Sequence, residues 1–251
     1  MVQKYIFCHL VFLLIITSVV HAQDSTQGFH FSLGTPTTGI GIGDLRQYSG
    51  IRLNTDDSAV VEINGISASI FRRSDWHSGD PESYCNGAAL SLIGHQYSHV
   101  NGISVSIGVD ESIHVNGISF GCFGNSGDTR IGFCWGGLGV FARQVNGVVG
   151  SLMMTNVDTV NGLACSAFAV GGTMSATING ISISGVLQRL ETNRGLAIAP
   201  LNTSSRTFGV QIGAVNVTRE LYGIQIGLMN YAANSVIPWL PGVNVGWKKA
   251  N

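Results

Sequence analysis

Charge is scarce in this 251-residue chain. Asp, Glu, Lys and Arg together make up 11% of it, less than half of the roughly 25% found in an ordinary soluble domain. The few charges nearly cancel, 13 basic against 14 acidic. The sequence therefore has neither the basic surface that nucleic acid requires nor an acidic tail. Proline is rare, at 5 residues, and glycine, although it reaches 34, follows no G-X-Y period, which excludes collagen. Long hydrophobic runs are missing after residue 22, because Gly, Ser or Asn interrupts each one within a few residues. No later stretch thus resembles a membrane-spanning helix. What is present in quantity is apolar: 45% of residues, too many for a disordered chain. The length is enough to bury a core in one or two domains.

The one sustained apolar run lies at the start. Lys4 provides a positive charge, Tyr5 to Val20 is mostly apolar, and Val20-His21-Ala22 offers a cleavage site before Gln23. Residues 1–22 read as a signal peptide of an exported protein, since about 16 residues fall short of the ~20 that span a bilayer.

The body of the chain is an internal repeat. Asn-Gly recurs at Asn64, Asn101, Asn116, Asn146, Asn161 and Asn179, and weaker copies extend the register to thirteen glycines: 50, 65, 87, 102, 117, 132, 147, 162, 180, 195, 209, 223 and 242. Seven of the twelve steps are 15 residues and two are 14. One position after the glycine (+1) stand Ile66, Ile103, Ile118, Phe133, Leu163, Ile181 and their apolar equivalents, and three after it (+3) the column is apolar in twelve of thirteen copies. The +2 column is mostly small or polar, as in Ser67, Ser104, Ser119, Gln211 and Gln225, and the +4 column is Ser, Gly or Ala in all copies but Asn54. Alternation of period two predicts a strand with one buried face, the +1 and +3 columns facing in and the +2 and +4 columns facing out. A glycine inside every unit disfavours helix.

A shorter apolar patch precedes each glycine, as in Ile113-His114-Val115 before Asn116-Gly117. Each unit then reads as one coil of an all-β, narrow parallel β-solenoid of about 13 coils with a period near 15 residues. Gly and Asn supply the positive φ of the corners, and the six asparagines stack as a ladder between coils. The expected organisation is a signal peptide at 1–22, an N-terminal cap or edge segment at 23–48, the repeat domain at 49–247 with an insertion loop at 71–86, and a tail at 248–251. The alternative is a transmembrane β-barrel, which also suits an exported chain of low charge. Thirteen units, alternating stretches of six or seven residues, and outward columns of small side chains all count against it.

These residues carry a resemblance. Gly209-Val210-Gln211-Ile212-Gly213-Ala214-Val215-Asn216 and Gly223-Ile224-Gln225-Ile226-Gly227-Leu228-Met229-Asn230 resemble the G-[LIV]-Q-[LIV]-G-L-x-N signature of bacterial surface-repeat proteins described from spirochaetes and other diderm bacteria. Gly50-Ile51-Arg52-Leu53-Asn54 is similar to that family's opening, and the segment from Pro238 to Trp247 resembles its close. The resemblance implies an exported, envelope-associated protein without catalytic residues to carry over. The chain departs from the pattern by placing Ser at +4 in six copies.

The step from Gly65 to Gly87 holds seven extra residues and the most varied chemistry in the chain: Asp75, Trp76, His77, Asp80, Glu82 and Tyr84. Paired carboxylates beside aromatics suit glycan binding or glycoside cleavage, and loops inserted on rigid scaffolds often carry function. A solvated loop that covers a sheet edge has the same composition. His99 and His114, one coil apart, should stack on one face, with His95 elsewhere; no carboxylate shares their column, so no metal centre is expected. Of four mature cysteines, none are one coil apart. Cys85, Cys122 and Cys165 fall in columns read as core, while Cys134 has no base beside it, so buried free thiols are expected. Gly39-Ile40-Gly41-Ile42-Gly43 lacks the Lys-Ser/Thr of a phosphate loop and reads as a glycine-rich strand. The sequences Asn202-Thr203-Ser204 and Asn216-Val217-Thr218 match glycosylation acceptors, incidental in a bacterial envelope.

The expectation is a non-catalytic, exported cell-envelope rod without cofactor, located in the periplasm, outer membrane or cell surface. It would act in adhesion or assembly through a glycan, an envelope protein or self-association by the small-residue face; membrane association is also open. A porin-like barrel and a glycan-active enzyme using the 71–86 carboxylates are the alternatives.

Overall fold

The computed structural model describes residues 30–43, 45–56, 60–71, 82–171 and 176–247. The signal segment, residues 72–81 of the insertion and the tail at 248–251 lie outside the described residues. Among the described residues every regular element is a strand, and parallel strands stack as a β-solenoid of about 11 turns, not a barrel.

The register glycines sit one above another. Gly50 pairs with Gly65, Gly65 with Gly87, and the series continues through Gly102, Gly117, Gly132, Gly147, Gly162, Gly180, Gly195 and Gly209 to Gly223. Glycine is obligatory here for two reasons. At Gly117 φ is 135°, a region that L side chains rarely adopt. A Cβ at Gly117 would also lie 2.0 Å from the Gly102 carbonyl oxygen of the rung before it. The Asn-Gly pairs are not turns between strands, as the repeat had suggested. They lie inside continuous strands such as His99–Ser106 and His114–Gly121.

The two ends differ from the expectation. Gly242 does not begin another coil: Trp239–Gly246 runs antiparallel to the last parallel strand, with Gly227 opposite Gly242 and Gly223 opposite Gly246. At the other end Gly39 joins the register beneath Gly50 after a step of 11 residues, and Thr38–Gly43 pairs antiparallel with His30–Thr35. The glycine-rich run is thus a strand, and an antiparallel hairpin closes each end of the parallel stack. The stacked glycines from Gly50 to Gly223 are separated by eleven steps, so the solenoid has about 11 turns where 13 coils were expected. Within the insertion, Tyr84, Cys85 and Asn86 already belong to the strand Tyr84–Ser91.

The parity of the strands follows the sequence pattern, but its sign is reversed. The whole +2 column is buried: Arg52, Ser67, Ala89, Ser104, Ser119, Cys134, Val149, Ala164, Ser182, Ala197, Gln211 and Gln225. So are Ser69, Ser91, Ser106, Ser151, Ser166 and Ser184 of the +4 column. The +1 residues Ile66, Ile103, Ile118, Phe133 and Ile181 face outward and are exposed. The small-residue face expected on the outside is therefore the inner wall, and Ser106, Ser151 and Ser166 are unavailable for contact with a sister rod. The reason is space. A 15-residue coil has a perimeter of about 50 Å, so its facing walls are close and admit small side chains more readily than a column of Ile.

The interior is zoned along the axis. An N-terminal apolar cluster contains Tyr48, Ile63, Cys85, Tyr97, Val100 and Val115, and a middle cluster contains Cys134, Val140, Val160, Ile178 and Leu190. Between them lies a buried charged network. Asp110 Oδ2 accepts hydrogen bonds from Ser104 Oγ at 2.5 Å and Ser119 Oγ at 2.6 Å, and Oδ1 accepts one from the Ser112 amide at 3.0 Å. His95 Nε2 is 3.4 Å from Asp110 Oδ1. Arg130 donates to Asn125 Oδ1 at 2.9 Å and to the Ser112 and Ser126 carbonyls at 2.6 Å each. Burial alone would raise the Asp110 carboxyl, but the charge and hydrogen bond of His95, the charge of Arg130 and the Ser104 bond outweigh it and hold the group well below the usual carboxylate range. Past the middle cluster, amides take over: Asn202 donates to Asn216 at 2.8 Å, Asn216 to Asn230 at 2.7 Å, and Gln225 to Gln211 at 2.8 Å. These ladders satisfy polar groups that burial would otherwise penalise.

Candidate functional site

Going round one coil, the outward side chains fall into two sectors. The columns before the glycine are polar. Asn86 donates to Asn64 and Asn101 to Asn86, both at 2.8 Å, and Asn161 donates to Asn146 and Asn179 to Asn161, both at 2.7 Å. The ladder is interrupted between these two segments, where Ile131 takes the place of Asn. Two residues before the asparagines, Tyr84, His99 and His114 stack with ring centroids 4.8 Å apart at both steps. His95, by contrast, lies wholly inside the coil.

Of the six insertion residues singled out for binding, Asp75, Trp76, His77 and Asp80 lie outside the described residues. Glu82 and Tyr84 come together: the Tyr84 hydroxyl donates to Glu82 Oε2, and His99 Nε2 is 3.6 Å from the same oxygen. The hydrogen bond to Glu82, with smaller contributions from burial and the carboxylate charge, raises the Tyr84 phenol above its ordinary value. Among the described residues no group of three His, Cys, Asp or Glu side chains is placed to hold a metal ion.

The cysteines divide by sector. Cys85 and Cys134 are buried, and burial pushes the Cys134 thiol up to about 12. Cys122 and Cys165 do not occupy core columns: Cys122 is exposed and Cys165 half-buried. Both belong to the outer apolar surface. None of these four cysteines forms a disulfide among the described residues.

That apolar surface is the feature the sequence pattern concealed. From the rung of Gly87 to that of Gly223 the +1 and +3 columns, the corner that follows them and the first residue past the corner carry no charged, amide or hydroxyl side chain. The corner forms a ridge of Leu92, Ile93, Ile107, Phe123, Leu138 and Leu152, each more than half exposed, continued by Met153, Phe168 and Leu228. Beside the ridge stand Ile103, Ile118, Phe133, Ile181 and Ile224. Ten rungs at ~4.8 Å make the sector about 43 Å long, and seven residues at ~3.3 Å make it about 23 Å wide. The projected area is roughly 1,000 Å², above the ~300–600 Å² of the largest apolar patch on a typical soluble monomer.

Charge is confined to the rest of the circumference. Arg143 pairs with Asp128 and Arg206 with Glu191, both at 3.4 Å, on strand segments that follow or precede the apolar columns. The rod is therefore amphipathic about its long axis. The signal for this lay in the same alternation, since a charge-free outer stripe and a core stripe have identical spacing. Compared with known proteins, the chain matches no family model, no curated protein and no solved structure.

Proposed function

We propose that this chain is an exported, non-catalytic cell-envelope repeat protein whose rod lies along a lipid surface, with its apolar ridge in the membrane interface and its asparagine side turned to water. The observation that carries this reading is the charge-free outer sector, segregated from every ion pair of the polar side. Its geometry is convex, so a flat partner sheet would cover one flank and leave the ridge wet, whereas a fluid interface closes round both flanks. Withdrawing only ~300 Å² of this surface from water is favourable by about 7.5 kcal/mol before the costs of association. The signal-like residues 1–22 and the resemblance to surface-repeat proteins support an envelope location.

The sector has no Lys or Arg along it, so the attraction is apolar and owes nothing to anionic headgroups. Flotation with vesicles of pure phosphatidylcholine tests the reading. The chain should rise with the lipid to the same extent at 0.05 and 1 M salt. A chain that stays at the bottom of the gradient, or that forms a discrete dimer and ignores the vesicles, contradicts it.

A further inference from the structure

The polar side carries an aromatic cleft at its C-terminal end. The column occupied by Asn179 further up the rod continues as Arg194, Phe208 and Tyr222. Phe208 and Tyr222 stack with centroids 4.9 Å apart and planes within 15°, and the Arg194 guanidinium lies 5.9 Å from the Phe208 centroid. Tyr222 ends the parallel ladder. The antiparallel closing strand then brings Gly246 opposite Gly223, followed by Trp247, which is 65% exposed. Arg206, Phe208, Glu220, Tyr222, Gly246 and Trp247 line a cleft of about 580 Å³, within the range of small-ligand sites.

We infer that this cleft binds a neutral pyranose glycan. Three of its six lining residues are aromatic, and aromatic rings pack against the C–H face of a sugar ring. The remaining side chains are one guanidinium and one carboxylate, a donor fork and an acceptor pair of the kind that vicinal hydroxyls need. Their formal charges cancel, which disfavours a phosphate or a simple cation. Arg206 is steadied by Glu191 at 3.4 Å, and Glu220 Oε2 accepts from the Tyr222 hydroxyl at 3.4 Å, so both polar groups are held in place beside the rings. Gly246 adds no side chain to the space. The inference does not depend on the lipid reading, because the cleft belongs to the polar sector.

The test is titration of the purified chain with neutral tetrasaccharides of glucose, mannose, galactose and N-acetylglucosamine, and with phosphocholine, followed by calorimetry and tryptophan fluorescence. At least one tetrasaccharide should give saturable binding. Trp247→Ala and Tyr222→Ala should each weaken it at least about tenfold, with unchanged circular dichroism, while Trp239→Ala, which removes the partner of Tyr231, should leave it unchanged. The same sugars as immobilised polymer distinguish a chain-binding cleft, which retains the protein, from one that takes free oligosaccharide only. Saturable binding of phosphocholine alone, binding indifferent to Trp247→Ala, or no binding of any tetrasaccharide overturns the inference.

Discussion

Replacing Gly117 by Ala should break the stack at one rung. The added Cβ would lie 2.0 Å from the Gly102 carbonyl oxygen, 2.9 Å from its carbon and 3.2 Å from its Cα, all rigid backbone. To restore even a tight contact of about 3 Å, the rungs must part by about 1 Å, which stretches ladder hydrogen bonds of ~2.9 Å beyond bonding range. Holding an L residue near the present φ of 135° costs a further ~1–3 kcal/mol. With two or three ladder bonds weakened at ~0.5–1.5 kcal/mol each, the loss comes to about 4 kcal/mol. In a domain of this size that lowers Tm by roughly 8–16 °C. The matched control is Gly124→Ala, whose Cβ would meet nothing closer than 3.6 Å and whose φ is not positive; it should shift Tm by no more than about 2 °C. Calorimetry with far-ultraviolet circular dichroism reads both. Equal melting of the two variants would refute the argument that backbone contact between rungs selects glycine.

Three further outcomes follow from the same geometry. Because the folded Asp110 carboxyl is held below its ordinary value, the network's contribution is complete above the unfolded value near ~4 and is lost as pH falls below it. Asp110→Asn should therefore flatten the acid limb of a Tm–pH profile, and Asp110→Ala, which removes the carboxylate charge near buried Arg130 and the acceptor of Ser104 and Ser119, should cost about 3–5 kcal/mol in denaturant unfolding at pH 7. On the ridge, Phe123→Asp should weaken phosphatidylcholine binding at least about fivefold in flotation, from ~1 kcal/mol of lost ring transfer, with up to ~1 kcal/mol more for a charge at the interface. Maleimide should modify Cys122 well before Cys165 and leave Cys85 and Cys134 unmodified until the chain unfolds, as mass spectrometry of digests would show.

Much of this architecture is written in the sequence. The register from Gly50 to Gly223 was legible because each glycine is fixed by the carbonyl of the rung before it, and such a position tolerates no substitute. The period-two alternation was legible for the same stretch. Its direction was not: Ile103 and Ser104 alternate identically whether the isoleucine fills a core or faces outward. Only the closure of the coil, which packs His95 and Asp110 against Ser104, decides between the two. The ends were harder. Gly242 stands in a stretch of apolar and proline residues that imitates a repeat unit, yet it pairs with an antiparallel partner, and a Cβ there would meet nothing within 4 Å. Gly39 escaped because its coil is short. The cleft was half legible. Reading the asparagine column onward through Arg194 to Phe208 and Tyr222 would have exposed the aromatic stack, but the arrival of Trp247 depends on the reversal of the last strand.

The central claim is that the outer apolar sector meets lipid. Cys122 lies on the ridge and is exposed, so it is a native reporter. An environment-sensitive fluorophore attached there should shift to the blue when phosphatidylcholine vesicles are added, and a quencher carried on the lipid acyl chains should extinguish it at low and high salt alike. A label that stays open to an aqueous quencher and unchanged by vesicles would contradict the account.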